Sequence, residues 1–116
     1  MFRFEQLEIW KLAINYANKL YDTAEKFLSF ELYALSSQLR RAAISISNNI
    51  TEGSGASTNK DFKSFLDISI KSALETVNII YFAIMRKYIY EEKRLILYNE
   101  AETLIKKIRA FKNSLL

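Results

Sequence analysis

The stretch Gln38-Leu39-Arg40-Arg41-Ala42-Ala43-Ile44-Ser45-Ile46-Ser47-Asn48-Asn49-Ile50-Thr51-Glu52-Gly53 decides how this chain is read. Leu39, Ala42/Ala43, Ile46 and Ile50 recur at helical spacing, so the segment is a helix with one apolar stripe. The rest of it is not what a greasy contact alone requires. Paired arginines, paired asparagines and the serines Ser45 and Ser47 sit among alanines. Small residues let helix backbones approach closely, and polar ones inside a bundle must find partners. The segment therefore specifies a particular packing.

Working outward, the composition favours long helices throughout. There is no proline in 116 residues and only two glycines, and half of the residues are apolar. With so little to punctuate strands and turns, unbroken helices are expected in a single domain over residues 1–116. No uninterrupted apolar run approaches the roughly 18 residues that cross a bilayer. Met1-Phe2-Arg3-Phe4-Glu5 lacks the apolar core and cleavage site of a signal peptide. Neither a membrane partner nor export is expected, and the absence of cysteine fits a cytoplasmic protein. Histidine is also absent, which removes the commonest general base, the commonest metal ligand and the Glu-x-x-His pairs of di-iron bundles. The expectation is a protein that is not an enzyme, with no catalytic residue, metal or cofactor.

Four helices follow from the periodicity. The first spans about Glu5 to Phe27, with a seam of Trp10, Ala13, Ala17, Leu20, Ala24 and Phe27. A second row of Leu7, Ile14, Tyr21 and Leu28, with Ile9 and Tyr16, widens its apolar surface. The second helix runs from about Ser36 to Glu52, with Ser36 or Ser37 as N-cap and Gly53 as the C-terminal stop. After the turn Gly53–Ser57, Thr58-x-x-Asp61 opens the third helix as a variant capping box. That helix carries Leu66, Ile70, Ala73, Val77, Ile80 and Ile84 and reaches Tyr88. The fourth begins near Glu91, where Glu91 and Glu92 suit the N-terminal dipole, and its seam is Tyr98, Ala101, Leu104/Ile105, Ile108, Phe111 and Leu115. Short connections force neighbours to run antiparallel, which predicts an all-α, up-down-up-down four-helix bundle.

Folded onto this topology, the net charge of +4 is concentrated. The end holding the Gly53–Ser57 turn collects nine basic side chains (Arg3, Lys11, Lys60, Lys63, Lys71, Lys106, Lys107, Arg109 and Lys112) against five acidic ones (Glu5, Glu8, Glu52, Asp61 and Asp67). The other end has eight of each. A basic end suits a phosphate backbone, since each neutralised phosphate releases counterions. It also suits plain solvation with a helix-dipole bias. Cyclic assembly would point several such ends the same way and add their fields. Lys60, Lys63, Lys106, Lys107, Arg109 and Lys112 are the candidates for phosphate contact.

Other residues have two readings each. Arg40 and Arg41 could grip phosphate, but the topology puts them at the neutral end, where they could pair with carboxylates. In the hairpin of the second and third helices, position 40 falls near 71 and Glu75 lies one turn further. A polar network of Arg40 or Arg41 with Glu75 is therefore expected, ordering the bundle more than stabilising it. Asn48, Asn49 and Glu52 form either a solvated last turn or a polar network at a contact. Gly53-Ser54-Gly55 follows a helix rather than a strand and lacks the Gly-Lys-Ser/Thr of a nucleotide loop. The tyrosines, Phe62, Phe65, Phe82 and Trp10 could stack on bases, though aromatics at helical spacing belong more often to cores. Phe65, Ile68, Ile79 and Phe82 lie off the third helix's seam, as a contact surface would.

These motifs also resemble a known family. Phe4-x-x-Leu7-x-x-Trp10-x-x-Ala13, Glu31-x-Tyr33-Ala34-Leu35-x-x-Gln38-Leu39-Arg40-Arg41-Ala42-Ala43, Ser45-Ile46-x-x-Asn49-Ile50-x-Glu52-Gly53, Phe62-x-x-Phe65-Leu66-x-Ile68-Ser69 and Leu74-Glu75 are similar to the four-helix-bundle proteins encoded in intervening sequences of bacterial 23S rRNA genes, a ribosomal-protein-like family. The chain departs from the family pattern at Leu28 and Ser47, where proline is frequent, and at Ala34, where glycine is. These departures touch punctuation, not a catalytic group. The resemblance implies a cyclic homo-oligomer, a pentamer, without enzymatic activity and associated with rRNA or other nucleic acid. A related branch, the accessory variability determinants of diversity-generating retroelements, adds a reverse transcriptase as partner. The excess of +4 is small for that branch. A protein-interaction scaffold without a nucleic-acid ligand is the competing expectation.

Overall fold

The structure is a computed structural model that describes residues 1–116. A 3-10 turn, Arg3–Gln6, precedes four helices: α1 (Glu8–Leu28), α2 (Tyr33–Ser54), α3 (Asn59–Met85) and α4 (Glu91–Ser114). Each helix packs on its two neighbours in the ring α1–α2–α3–α4 and not across the diagonal, which makes an antiparallel bundle of 45 × 22 × 21 Å. The expected fold class is the one observed. Ala13, Ala17, Leu20, Ala24 and Phe27 of α1 and Leu66, Ile70, Ala73 and Ile80 of α3 are buried as their spacing requires. Trp10, at the head of the α1 seam, is half-buried and meets Phe4 edge to face at 5.0 Å.

The boundaries of α2 differ from expectation at both ends. The helix starts at Tyr33, a turn earlier, and its N-cap position is Leu32, without a side-chain cap. Ser36 is not a cap. It is buried and donates its hydroxyl to the Ala24 carbonyl of α1 at 2.8 Å. At the other end α2 runs through Gly53 to Ser54, and Gly55 is the C-cap. Gly53 is buried inside the helix, and a Cβ there would lie 2.7 Å from Phe62 Cδ1 and 2.8 Å from Phe65 Cβ. Glycine is needed at 53 for space against α3. Conformation does not demand it, because neither glycine has a positive φ.

The α2–α3 register also differs from expectation. Arg41 pairs with Glu75, Ser45 Oγ is 2.8 Å from Ser72 Oγ, and Ser69 donates to the Ile46 carbonyl at 2.8 Å. Position 40 is thus level with about 76 rather than 71. Asn49 donates through Nδ2 to the Ser45 carbonyl at 2.7 Å and to its hydroxyl at 3.1 Å, while Asn48 is exposed. The small polar residues of α2 therefore form a hydrogen-bonded seam with α3. Every buried side-chain nitrogen and oxygen in the chain has a partner.

The core holds one further polar pair. Tyr16 is fully buried, with its hydroxyl 2.8 Å from Thr76 Oγ. Thr76 gives its own proton to the Ala73 carbonyl at 2.6 Å, so Tyr16 is the donor. Burial pushes the phenol up to about 12.

Thr58 caps α3 as expected, accepting from the Asp61 amide at 3.1 Å. The helix ends at Met85 and not at Tyr88, because Lys87 adopts a left-handed conformation and turns the chain. By length and composition α3 is apolar enough to cross a membrane, with a mean hydropathy of 1.4 over an 18-residue window, although Lys71 and Glu75 interrupt its apolar run. Its place in the core, packed on both α2 and α4, accounts for part of this apolarity, while Ile68, Leu74, Tyr81, Phe82 and Met85 of the same helix are exposed. Glu91 does open α4, accepting from Arg94 Nε at 2.8 Å, and this hydrogen bond holds the Glu91 carboxyl below its ordinary range.

Candidate nucleic-acid interface

The end of the bundle formed by the start of α1, the end of α2, the start of α3 and the end of α4 brings the six candidate cations to one region. They do not share one face. Successive helical residues turn by about 100°, so Lys106, Lys107, Arg109 and Lys112 fan around α4. Lys107 reaches α1 and pairs with Glu8 at 2.8 Å. Lys112 leans the other way, on to α3, and pairs with Asp67 at 2.7 Å. Lys106 stays on its own helix, 3.8 Å from Glu102. Arg109 makes no ion pair and lies beside a groove lined by Leu74, Val77, Tyr98 and Ile105 together with Glu102, which Lys106 holds.

Lys60 and Lys63, on the first turns of α3, have no carboxylate partner either, and Lys60 is exposed. Lys71 joins them. Eleven residues after Lys60, it returns to nearly the same side of the helix and is also exposed and unpaired. Lys71 is absent from the expected contact set, although its spacing from Lys60 carries the signal. Arg3 places its guanidinium 5.0 Å from the Phe62 ring centroid, so it serves the end of the core. What remains is a loose group of cations around the first half of α3 and the end of α4. It can attract phosphates, but it presents no planned set of donors for reading bases.

The two arginines of the deciding segment part company. Arg41 turns to α3 and holds Glu75, with the two side chains 62% and 38% exposed. A pair so open to water contributes at most about 1 kcal/mol. Arg40 turns to α1, beside a groove lined by Tyr21, Asp22 and Glu25. Among the aromatics considered for stacking, Tyr16 and Phe62 are buried, whereas Tyr81 and Tyr98 form a cluster under Arg94, whose guanidinium lies 5.2 Å and 5.8 Å from their centroids. Of the row on α3, Ile68 and Phe82 are exposed, Phe65 is half-buried and Ile79 is buried. No group of three or more acidic side chains is arranged to hold a metal ion.

A four-helix ring with a hydrogen-bonded seam and one cation-rich end has a counterpart among known families. Residues 5–110 match the model of the 23S rRNA-intervening sequence protein family. The chain belongs to this family. A solved structure, a protein of unknown function from the S23 ribosomal protein family of Bacteroides thetaiotaomicron VPI-5482, superposes with a TM-score of 0.87. It is 22% identical, with 91% of this chain and 99% of that one covered, which supports the shared fold. No curated protein matches the chain.

Proposed function

We propose that this protein is a non-enzymatic homo-oligomer, a ring of four-helix bundles, that binds structured RNA through its basic end. The observation that carries the reading is the set of cations left without carboxylates at that end: Lys60, Lys63, Lys71 and Arg109. Unpaired cations release counterions from a phosphate backbone without first giving up an ion pair. Lys106, Lys107 and Lys112 contribute less, because their carboxylate partners compete with phosphate. Membership of a family named for 23S rRNA makes an rRNA segment the first ligand to test. Assembly is supported by Ile68 and Phe82, which are 43% and 51% exposed on the α2–α3 side of the bundle.

A labelled rRNA fragment titrated across a salt series tests the reading. Binding should weaken linearly in a log–log plot, and replacing Lys60, Lys63 and Arg109 together by Gln should reduce the slope by about 3. No binding at low salt, or binding with no salt slope, would favour the second reading. In that reading the protein is an interaction scaffold docking through the same apolar row. A stable monomer by light scattering at micromolar concentration would remove the ring from both.

A further inference from the structure

The end of the bundle opposite the Gly53–Ser57 turn carries equal numbers of acidic and basic side chains. Its summed charge therefore predicts no affinity for anions. Its charges are sorted in space, however. The α1–α2 and α3–α4 connections border an open cavity of about 350 Å³, lined by Lys26, Lys87 and Lys93 and by no carboxylate. None of the three lysines takes part in an ion pair. The acids of this end are committed elsewhere or stand outside. Glu91 accepts from Arg94, Glu75 from Arg41 and Glu100 from Lys19. Asp22 and Glu25 line the separate groove beside Arg40, and Glu31 and Glu92 are exposed outside the cavity lining.

The backbone fixes where one of these lysines stands. Tyr88 N–H donates to the Ala83 carbonyl at 2.8 Å and Lys87 N–H to the Ile84 carbonyl at 3.0 Å, the double closure that ends a helix in a left-handed residue. Lys87 occupies that position at φ 61°. Glycine is its usual occupant, because a side chain there is strained. The same closure ends α1 at Glu31, where Leu32 N–H donates to the Phe27 carbonyl and Glu31 N–H to the Leu28 carbonyl, so both connections at this end are fixed in the same way. In the α3–α4 connection the strained residue is one of the three cavity lysines.

The third element is aromatic. Phe30 and Tyr88 stack with ring centroids 6.1 Å apart, and Tyr88 is anchored by an edge contact to buried Phe27 at 6.4 Å. Tyr90 lies on the same cavity, and Phe30 and Tyr90 remain 56% and 87% exposed. Three unpaired ammonium groups beside open aromatic surface are complementary to an anion joined to a flat ring. We propose that this cavity binds a phosphorylated nucleoside, its phosphate held by Lys26, Lys87 and Lys93 and its base against Phe30 and Tyr90. Its volume lies at the lower end of the range for small-molecule sites, which suits one nucleotide. The same chemistry is offered by a free mononucleotide and by the 5′-phosphorylated end of a strand.

Calorimetric titration of the full chain with AMP tests the site. AMP should bind, with inorganic phosphate alone and adenosine alone each at least about tenfold weaker. Lys87→Gly keeps the turn and removes the ammonium, so it should weaken AMP about tenfold or more while the fold stays intact. Lys26→Gln should act in the same direction. Replacement of Lys60 and Lys63 by Gln, at the far end, should leave AMP binding unchanged, which separates this site from the proposed RNA surface. No AMP binding at millimolar concentration, or undiminished binding by the Lys87→Gly variant, overturns the proposal. Once AMP binds, a short oligonucleotide with a 5′-phosphate, compared with its 5′-hydroxyl form, names the source. Preference for the phosphate assigns the site to a strand end, and indifference assigns it to the free nucleotide.

Discussion

The two ends of the bundle use glycine in opposite ways. At the α2–α3 end Gly53 sits in ordinary helical geometry, and its value is the missing Cβ, which lets Phe62 and Phe65 close on α2. At the other end Glu31 and Lys87 hold φ values of 60° and 61°, the conformation glycine adopts most readily, and neither is glycine. One end therefore spends its conformational freedom on close packing. The other retains strained side chains at both connections. Charge follows the same division. The α2–α3 end has an excess of cations, half of the candidate set tied to carboxylates and two of those three across to other helices, while the charge-balanced end leaves three lysines free around one cavity. Net charge and local arrangement are different quantities, and a ligand responds to the second at short range.

The largest test of this contrast is Gly53→Val. Phe62 could swing its ring edge away, but Phe65 Cβ is fixed to the α3 backbone, so the helices must separate. Overpacking of this kind should destabilise by about 3 kcal/mol. Urea unfolding measures it, and a loss under about 0.5 kcal/mol would mean that Gly53 is merely a helix-weakening residue.

The layer between the ends supplies a control that neither glycine pattern touches. Tyr16 titrates near 10 unfolded and near 12 in the fold, so the folded state holds its proton more tightly. Its contribution is fully present below pH 10 and is lost as pH rises toward 12, a separation equivalent to roughly 2.7 kcal/mol. Tyr16→Phe should cost about 1 kcal/mol at pH 7, because Thr76 keeps its bond to Ala73. The variant should then lose less stability than the parent between pH 10 and 12. Parallel pH profiles would show that the phenol is not held neutral by burial.

Much of this molecule was legible from periodicity. The number and order of the four helices, the Thr58 cap and the Glu91 start depend on neighbours close in sequence and agree with the structure, whereas the start of α1, both ends of α2 and the end of α3 shift by two or three residues. Gly53 is ambiguous in the sequence, because a glycine before Ser-Gly serves equally as a stop or as a point of close approach, and the deciding rings lie on the next helix. The register is not legible in the sequence either, since position 40 is expected near 71 whereas Arg41 meets Glu75. The basic end was visible as a sum, but its pairing was not, since Glu8 and Asp67 reach Lys107 and Lys112 from other helices. The lysine cavity was hidden by the same arithmetic, because acids that face other grooves cancelled its charge on paper.

The smallest effect is the most discriminating between the two ends. Glu31→Gly and Lys87→Gly each remove a left-handed side chain costing about 1–2 kcal/mol, offset by about 0.5–1 kcal/mol of extra freedom in the unfolded chain. Each should therefore raise stability by about 0.5–1 kcal/mol, seen as a rise of a few degrees in Tm. The same glycine at Gly53's end could give no such gain, since no residue there has a positive φ. The two variants should then diverge in ligand binding. Glu31 lies outside the cavity lining and Lys87 is part of it, so Glu31→Gly should keep AMP and Lys87→Gly should lose it. A gain in Tm from both with loss of AMP from one would show that the left-handed turn at Lys87 is retained for its ammonium group. A failure of either variant to gain stability would show instead that the side chain makes contacts outweighing the strain.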